Sequence, residues 1–245
     1  MTELNISLIF GNDNFIPIIQ IGGESTFLPS AWQSCKQSGS NVVWSIPWVA
    51  DVGTIYYRRD LLQQAGIDED TAFKTLNQLI KTLDCLQKNG VEIPLAIPTV
   101  ASPTTIQVLA SWVWGSGGHF ISSSGHHLRF NEPRTKEAIT TYFKLYNYLA
   151  PPVYKLYDDS ICKLFCQGNV AVITGGYWVL QTIKQGNCVP EVANNLGMAM
   201  MPGVPFVGGS NLVVWKYSHQ TTTTLKLIRY LISRKTQKNI LPQCG

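Results

Sequence analysis

Residues 46–66 read IPWVADVGTIYYRRDLLQQAG. The apolar run after Asp51 predicts a strand, and the polar stretch that follows predicts a short helix with Asp60 as N-cap and Gly66 as stop. Ahead of the strand, beside Pro47, stand Trp48 and Asp51. A core strand has no use for an aspartate, and a solvated loop rarely holds a tryptophan. Together they have the composition of a binding loop. Two structural roles stand against that reading, Trp48 as a core residue and Asp51 as a loop cap or a partner of Arg58.

Outward from this stretch, helical and extended segments alternate. Residues 75–90 form an amphipathic pattern, with Thr75 and Gln78 as a capping box and Leu76, Leu79, Ile80, Leu83 and Leu86 on one face. IPLAIPT reads as a short buried strand, and TTIQVLASWVWGSGG as a helix up to Gly115. HFISSSGHHLRFN predicts a strand pair around a Ser/Gly turn, and the segment from Glu132 a helix with an aromatic inner face and Pro133 in its first turn. SICKLFCQG is helical, NVAVIT extended, YWVLQTIKQG helical, LGMAMMPG and SNLVVWKY extended, and TTTLKLIRYLISRK a last amphipathic helix. Strands joined through helices predict an α/β fold with largely parallel sheets, whose ligands sit beyond the carboxyl ends of the strands.

The composition narrows the function. The chain of 245 residues is 45% hydrophobic and 14% charged, with a net charge of +4. Its Lys and Arg are scattered, without a basic stripe interleaved with aromatics, so nucleic acid is not an expected partner. No apolar run approaches the roughly 20 residues that cross a bilayer. MTELNISLIFGNDNF has no basic residue ahead of its apolar stretch, which is no secretory signal and, read literally, leaves the product in the cytoplasm. Cys35, Cys85, Cys162, Cys166, Cys188 and Cys244 make no CxxC or zinc spacing and read as reduced, mostly buried residues.

Three loops at strand ends carry binding chemistry: Trp48–Asp51, Gly175–Trp178 and Gly208–Asn211. A sugar presents hydroxyls and patches of C–H, so its site needs aromatic faces together with carboxylates and amides. Trp48 with Asp51 supplies both, and Tyr177 with Trp178 adds aromatic surface at a helix start. Gly175-Gly176 and Gly208-Gly209 open backbone N–H groups to close approach, although a Gly-Gly after a strand is also an ordinary turn. His119, His126 and His127 read as an exposed hairpin and not as a metal site. Asp158-Asp159 read as a helix cap. Glycoside hydrolysis requires two carboxyls about 5–9 Å apart, and Asp51 has no evident second. No phosphate or dinucleotide loop is present, and neither cofactor nor metal is expected.

These residues resemble the bacterial extracellular solute-binding proteins of ABC sugar importers, the group that includes maltose-binding protein. IPWVADVGTIYYRRDLLQQAG is similar to the family's crossover segment. GGHFISSSGHHLRFNEPRTKEAITTY resembles its GG-x-x-F … FN-x-P … EA segment, LFCQGNVAVITGGYW its F-x-x-G-x-x-A-M … G-P-W, and GMAMMPGVPFVGGSNLVVWKYS its P-G … GGSN-L-x-V return strand. The resemblance runs from about Phe27 onward. It implies a type II periplasmic-binding-protein fold of two α/β lobes closing on a sugar or oligosaccharide, with one lobe incomplete: residues 52–205 as the C-terminal lobe, 1–51 with 206–245 as a remnant of the N-terminal lobe, and hinge crossovers near 49–53 and 202–208. It implies no enzymatic activity. The implied partners are the sugar and the permease subunits of the transporter, with the protein itself a monomer in the periplasm or at the cell surface.

By position the resemblance makes Asp51 a carboxylate for sugar hydroxyls, Trp178 a platform for a sugar ring, and Gly209, Ser210 and Asn211 a ligand-lining loop. Trp48, Trp114 and Tyr177 complete the expected set. Gly53 stands where an Arg is common in the family, and Tyr177 where it has Pro. The family's signal peptide and the opening elements of its first lobe have no counterpart in the matched motifs. A non-functional remnant of such a protein is therefore an alternative expectation, and a carbohydrate-active enzyme using Asp51 a more distant one.

Overall fold

The computed structural model describes residues 24–36, 43–149, 155–215 and 217–241. The segment read for a secretory signal and Cys244 lie outside these residues. The chain divides into two compact units, Val52–Phe206 and Met1–Asp51 with Val207–Gly245.

The larger unit is built on strand β2, Thr54–Arg58, whose β-branched and aromatic side chains suit a pleated, buried surface. It pairs antiparallel with β4 (Val172–Gly175) on one edge and β5 (Leu196–Met200) on the other, and β4 pairs parallel with β3 (Leu95–Ala96). The order β3-β4-β2-β5 is thus mostly antiparallel, against the expected parallel sheet. A helical crossover makes only β3 and β4 parallel. The strand that brings the chain into this unit runs the other way and inserts between β4 and β5.

Alternation along β2 makes two cores. Ile55 and Tyr57 join Leu79, Leu83 and Leu86 of α4 (Leu76–Lys88), Trp112 of α5 (Pro103–Gly115) and Tyr142 of α6 (Pro133–Lys144). Tyr56 joins Ile161 and Phe165 of α7 (Asp158–Cys166), Val179 and Ile183 of α8 (Tyr177–Lys184) and Val192 of α9 (Pro190–Asn194). Helices therefore cover both faces of the sheet. Each fully buried aliphatic side chain contributes roughly 1.5–3 kcal/mol. A close approach serves one of these cores, since a Cβ on Gly197 would lie 2.1 Å from the Tyr57 ring packed across it. The Tyr57 hydroxyl then donates to Glu69 Oε1 at 2.5 Å, as does Arg59 Nε at 2.7 Å.

The smaller unit pairs β1 (Ile46–Val52) with β6 (Val207–Leu212). Helix α1 (Pro29–Ser34) packs Trp32 with Cys35 and Val43, and α10 (Thr221–Leu231) and α11 (Arg234–Asn239) complete its described part.

Local expectations met mixed outcomes. Thr75 caps α4 through its Oγ1 and the Gln78 N–H at 3.1 Å, but Gln78 returns its side chain to the Thr75 hydroxyl, not to its backbone, so half the capping box forms. Asp60 does not cap. Helix α2 (Arg59–Gln64) takes in Asp60 in its first turn, where its carboxylate receives Arg58 Nε at 2.8 Å and Nη2 at 2.5 Å. Arg58 needs this, because it is 8% exposed and a buried guanidinium requires a counter-charge. Asp158 likewise opens α7 from within, and its Oδ2 accepts from Thr104 Oγ1 at 2.8 Å. The expected hairpin around Gly125 reduces to one antiparallel bridge, Ile121↔Leu128. Of the expected aromatic inner face, Tyr142 of α6 and Tyr148 of the 3-10 turn Leu145–Tyr148 that follows it are buried in the core, while Phe143 faces solvent. The last strand occupies Val207–Leu212, where residues 210–217 were expected; Lys216 lies outside the described residues. Cys166 and Cys188 form a disulfide, against the expectation of reduced thiols, while Cys35, Cys85 and Cys162 are free.

The Arg58 guanidinium holds the Asp60 carboxyl below its ordinary range, and the Tyr57 hydroxyl with Arg59 does the same for Glu69. A depressed carboxylate contributes stability that is present above its unfolded pKa and lost as pH falls through the folded value. Urea unfolding should therefore show declining stability as pH drops below the ordinary carboxylate range. Asp60→Asn should cost about 1–3 kcal/mol at neutral pH, with the difference from the native chain shrinking at pH about 2. An equal deficit at both pH values would contradict this account.

Candidate functional site

In the larger unit the candidate residues gather where β4 gives way to α8. Gly175 ends the strand and Gly176 takes the N-cap position, with no side-chain cap. The buried Tyr56 hydroxyl donates to the Gly176 carbonyl at 2.8 Å and anchors the turn from beneath. Gly175 has no room for a side chain, since its Cβ would lie 2.5 Å from Val179 Cγ2 and 3.3 Å from the Trp178 ring. The Gly-Gly pair thus lets Trp178 fold back over the strand end, half-buried against the core. Tyr177, 49% exposed, faces outward beside it.

Trp114, also half-buried, stands in the last turn of α5 and stacks on Phe206, with ring centroids 5.9 Å apart and planes 12° from parallel. Ser111 Oγ accepts from the Phe206 N–H at 2.8 Å, and the Phe206 carbonyl accepts from the Gly53 N–H at 3.3 Å. The stack therefore lies where the chain enters and leaves this unit. The sequence reading passed over Phe206. Its signal was an aromatic set between Pro205 and the glycine pair of GGSN.

In the smaller unit the β1–β6 pairing brings the strand of Trp48 and Asp51 beside Gly209, Ser210 and Asn211. Trp48 and Asp51 are three apart on a strand and so do not share a face. Trp48 and Ala50 border a hollow of about 560 Å³ whose walls include Phe27, Leu28, Arg234 and Gln237. The Trp48 carbonyl accepts from Gln237 Nε2 at 3.2 Å, while its buried indole N–H has no acceptor among the described residues. Ser210 is exposed, and Asn211 Nδ2 donates to Ser34 Oγ at 3.1 Å. Gly209 holds φ +128°, and a Cβ there would lie 1.9 Å from the Val49 carbonyl oxygen. The close approach it permits is that of β1.

His126 and His127 are exposed on the Gly125 loop, and among the described residues no His, Cys, Asp and Glu cluster could hold a metal ion. The described carboxylates with depressed pKa, Asp60, Glu69 and Glu132, sit in arginine pairs. No described helix is long and apolar enough to cross a membrane.

This α/β frame has counterparts among known proteins. The profile of bacterial extracellular solute-binding proteins matches residues 2–238, reaching upstream of the Phe27 where the motif resemblance began. The chain belongs to this family. It is 26% identical over 207 residues to a probable ABC transporter-binding protein of Deinococcus radiodurans, covering 79% of this chain and 48% of the relative. It is also 26% identical over 201 residues to the maltodextrin-binding protein of Bacillus subtilis, covering 77% and 45%. Its fold matches an ABC transporter solute-binding protein of Thermotoga lettingae bound with α-D-tagatose, with a TM-score of 0.74 and 22% identity over 88% of this chain and 56% of the other. The chain spans about half the length of the curated relatives it matches.

The packing of Gly209 yields a test. Gly209→Ala should cost about 2–4 kcal/mol, seen as a lower urea midpoint, with amide protection lost first in β1 and β6. An unchanged midpoint would show that the strand contact does not require glycine.

Proposed function

We propose that this chain is the substrate-binding component of an ABC importer, or the part of one, that captures a sugar or oligosaccharide reversibly and without turnover. In this reading Val52–Pro205 is the C-terminal lobe, residues 1–51 with 206–245 belong to the N-terminal lobe, and the segments near 49–53 and 202–208 are hinges. The observation that carries it is the aromatic corner at the end of β4. There Trp178 packs over Gly175 and against the core, Tyr177 is half-exposed, and the α8 N-terminus has no side-chain cap. Flat rings beside backbone donors suit the alternating C–H and hydroxyl surfaces of a sugar. Asp51, Trp48, Trp114, Gly209, Ser210 and Asn211 are assigned as further ligand contacts, and the permease subunits of the importer as protein partners of a monomeric binding protein.

Tryptophan fluorescence and thermal unfolding, followed against maltodextrins, tagatose and a non-sugar control, test this. A saturable response to a sugar with a rise in Tm is expected, and Trp178→Ala should weaken it about tenfold or more. A second reading, a remnant that keeps the fold without binding, predicts no response to any sugar.

We assign the mature protein to the periplasm or cell surface. The family is extracellular, and a Cys166–Cys188 disulfide suits an oxidising compartment. Peptide mapping of protein exported through a supplied signal sequence should recover the Cys166–Cys188 cross-linked pair under non-reducing conditions. Quantitative alkylation of both cysteines without reductant would refute the pairing.

A further inference from the structure

Three helices of the larger unit surround a hollow of about 610 Å³ that includes none of the residues assigned to the sugar. Its volume lies in the range of small-molecule sites. The floor is apolar, formed by Leu76, Ile80, Trp112 and Ala138. Trp112 is fully buried, and its indole N–H has no acceptor among the described residues, although buried indoles normally find one. One wall is bare main chain, because Gly115 and Gly203 touch so closely that a Cβ on Gly203 would lie 2.5 Å from Gly115 Cα.

The rim carries an excess of positive charge. Lys74, just ahead of α4, and Arg134, in the first turn of α6, reach the hollow from different elements, and neither forms an ion pair among the described residues. Glu137 is the acidic residue of the lining, and α4 opens with no acidic side chain to offset its positive end. Arg134 lies against Gly117, at φ +78°, where a Cβ would be 3.3 Å from Nη1. A cation there also favours the nearby carboxyl end of α5, but that contact does not explain Lys74.

We propose that this hollow is a second ligand site, for a small organic carboxylate with a compact apolar body. The carboxylate sits between Lys74 and Arg134, and the apolar body lies on Leu76, Ile80 and Ala138 above the Trp112 ring. An uncharged analogue keeps the floor and loses the rim, and an anion without an apolar body does the reverse.

The test uses the indole N–H resonances of the seven tryptophans in the native, ¹⁵N-labelled chain, assigned by triple resonance. Benzoate should shift the Trp112 signal saturably while leaving that of Trp178 in place, so the outcome is independent of the sugar reading. Benzamide should bind about tenfold more weakly, as should benzoate to Arg134→Gln, whose exposed site leaves the core intact. No saturable Trp112 shift up to about 50 mM benzoate would overturn the proposal. So would equal affinity for benzamide, or an unchanged affinity in Arg134→Gln.

Discussion

The larger unit depends on one five-residue strand being paired on both edges and packed on both faces. β2 hydrogen-bonds β4 and β5 at once, so loss of either ladder would leave buried backbone groups without partners. Its side chains divide the work. Ile55 and Tyr57 enter one core and Tyr56 the other, while Arg58 closes the strand with a buried ion pair to Asp60. Tyr56 also carries the link to the proposed site, because its hydroxyl fixes the Gly176 carbonyl and thereby the turn that presents Tyr177 and Trp178. The scaffold and the aromatic corner share one hydrogen bond.

On the proposed reading that arrangement bears on affinity. A platform held by a strand end, a helix start and a buried tyrosine loses little freedom when a ligand lands on it, so less of the contact energy goes into ordering the protein. Trp178 is confined by its packing on Gly175 and the core, and Trp114 by its stack on Phe206. Tyr177 beside them is half-exposed.

How much was legible in the sequence follows from the range of each interaction. The helix over Leu76–Lys88, with its Thr75 cap and its leucine face, rests on contacts within a few residues and was readable at once. The sheet's direction was not. Alternating helices and strands give the same local pattern whether a strand enters beside its sequence neighbour or inserts antiparallel between two others, and the choice lies in long-range pairing such as Ile55 with Thr174 and Ala199. Asp60 misled for a related reason: an aspartate before a helix is a cap by local rules, and a buried Arg58 outcompeted the backbone for it. Nor does the spacing of six cysteines single out Cys166 and Cys188, whose meeting depends on how α7 and α9 converge.

The glycines show most clearly where motif and mechanism part. Gly175 and Gly209 sit in the two stretches that resemble ligand-binding loops, and both read as positions that let a ligand approach the backbone. In the structure the approaching groups belong to the protein, Val179 and Trp178 at the first and the Val49 carbonyl at the second. Such glycines serve a site indirectly, by letting other side chains reach their places: the Trp178 ring over β4, and the strand that carries Trp48 and Asp51 against β6. A substitution at either position is then a change to the scaffold first and to recognition second. That order also explains why a motif can outlast its ligand. The packing that requires the glycine persists for as long as the fold does, whereas the exposed Ser210 is not enclosed by such packing. On the proposed reading, recognition is therefore carried by the side chains beside each glycine and not by the glycines themselves.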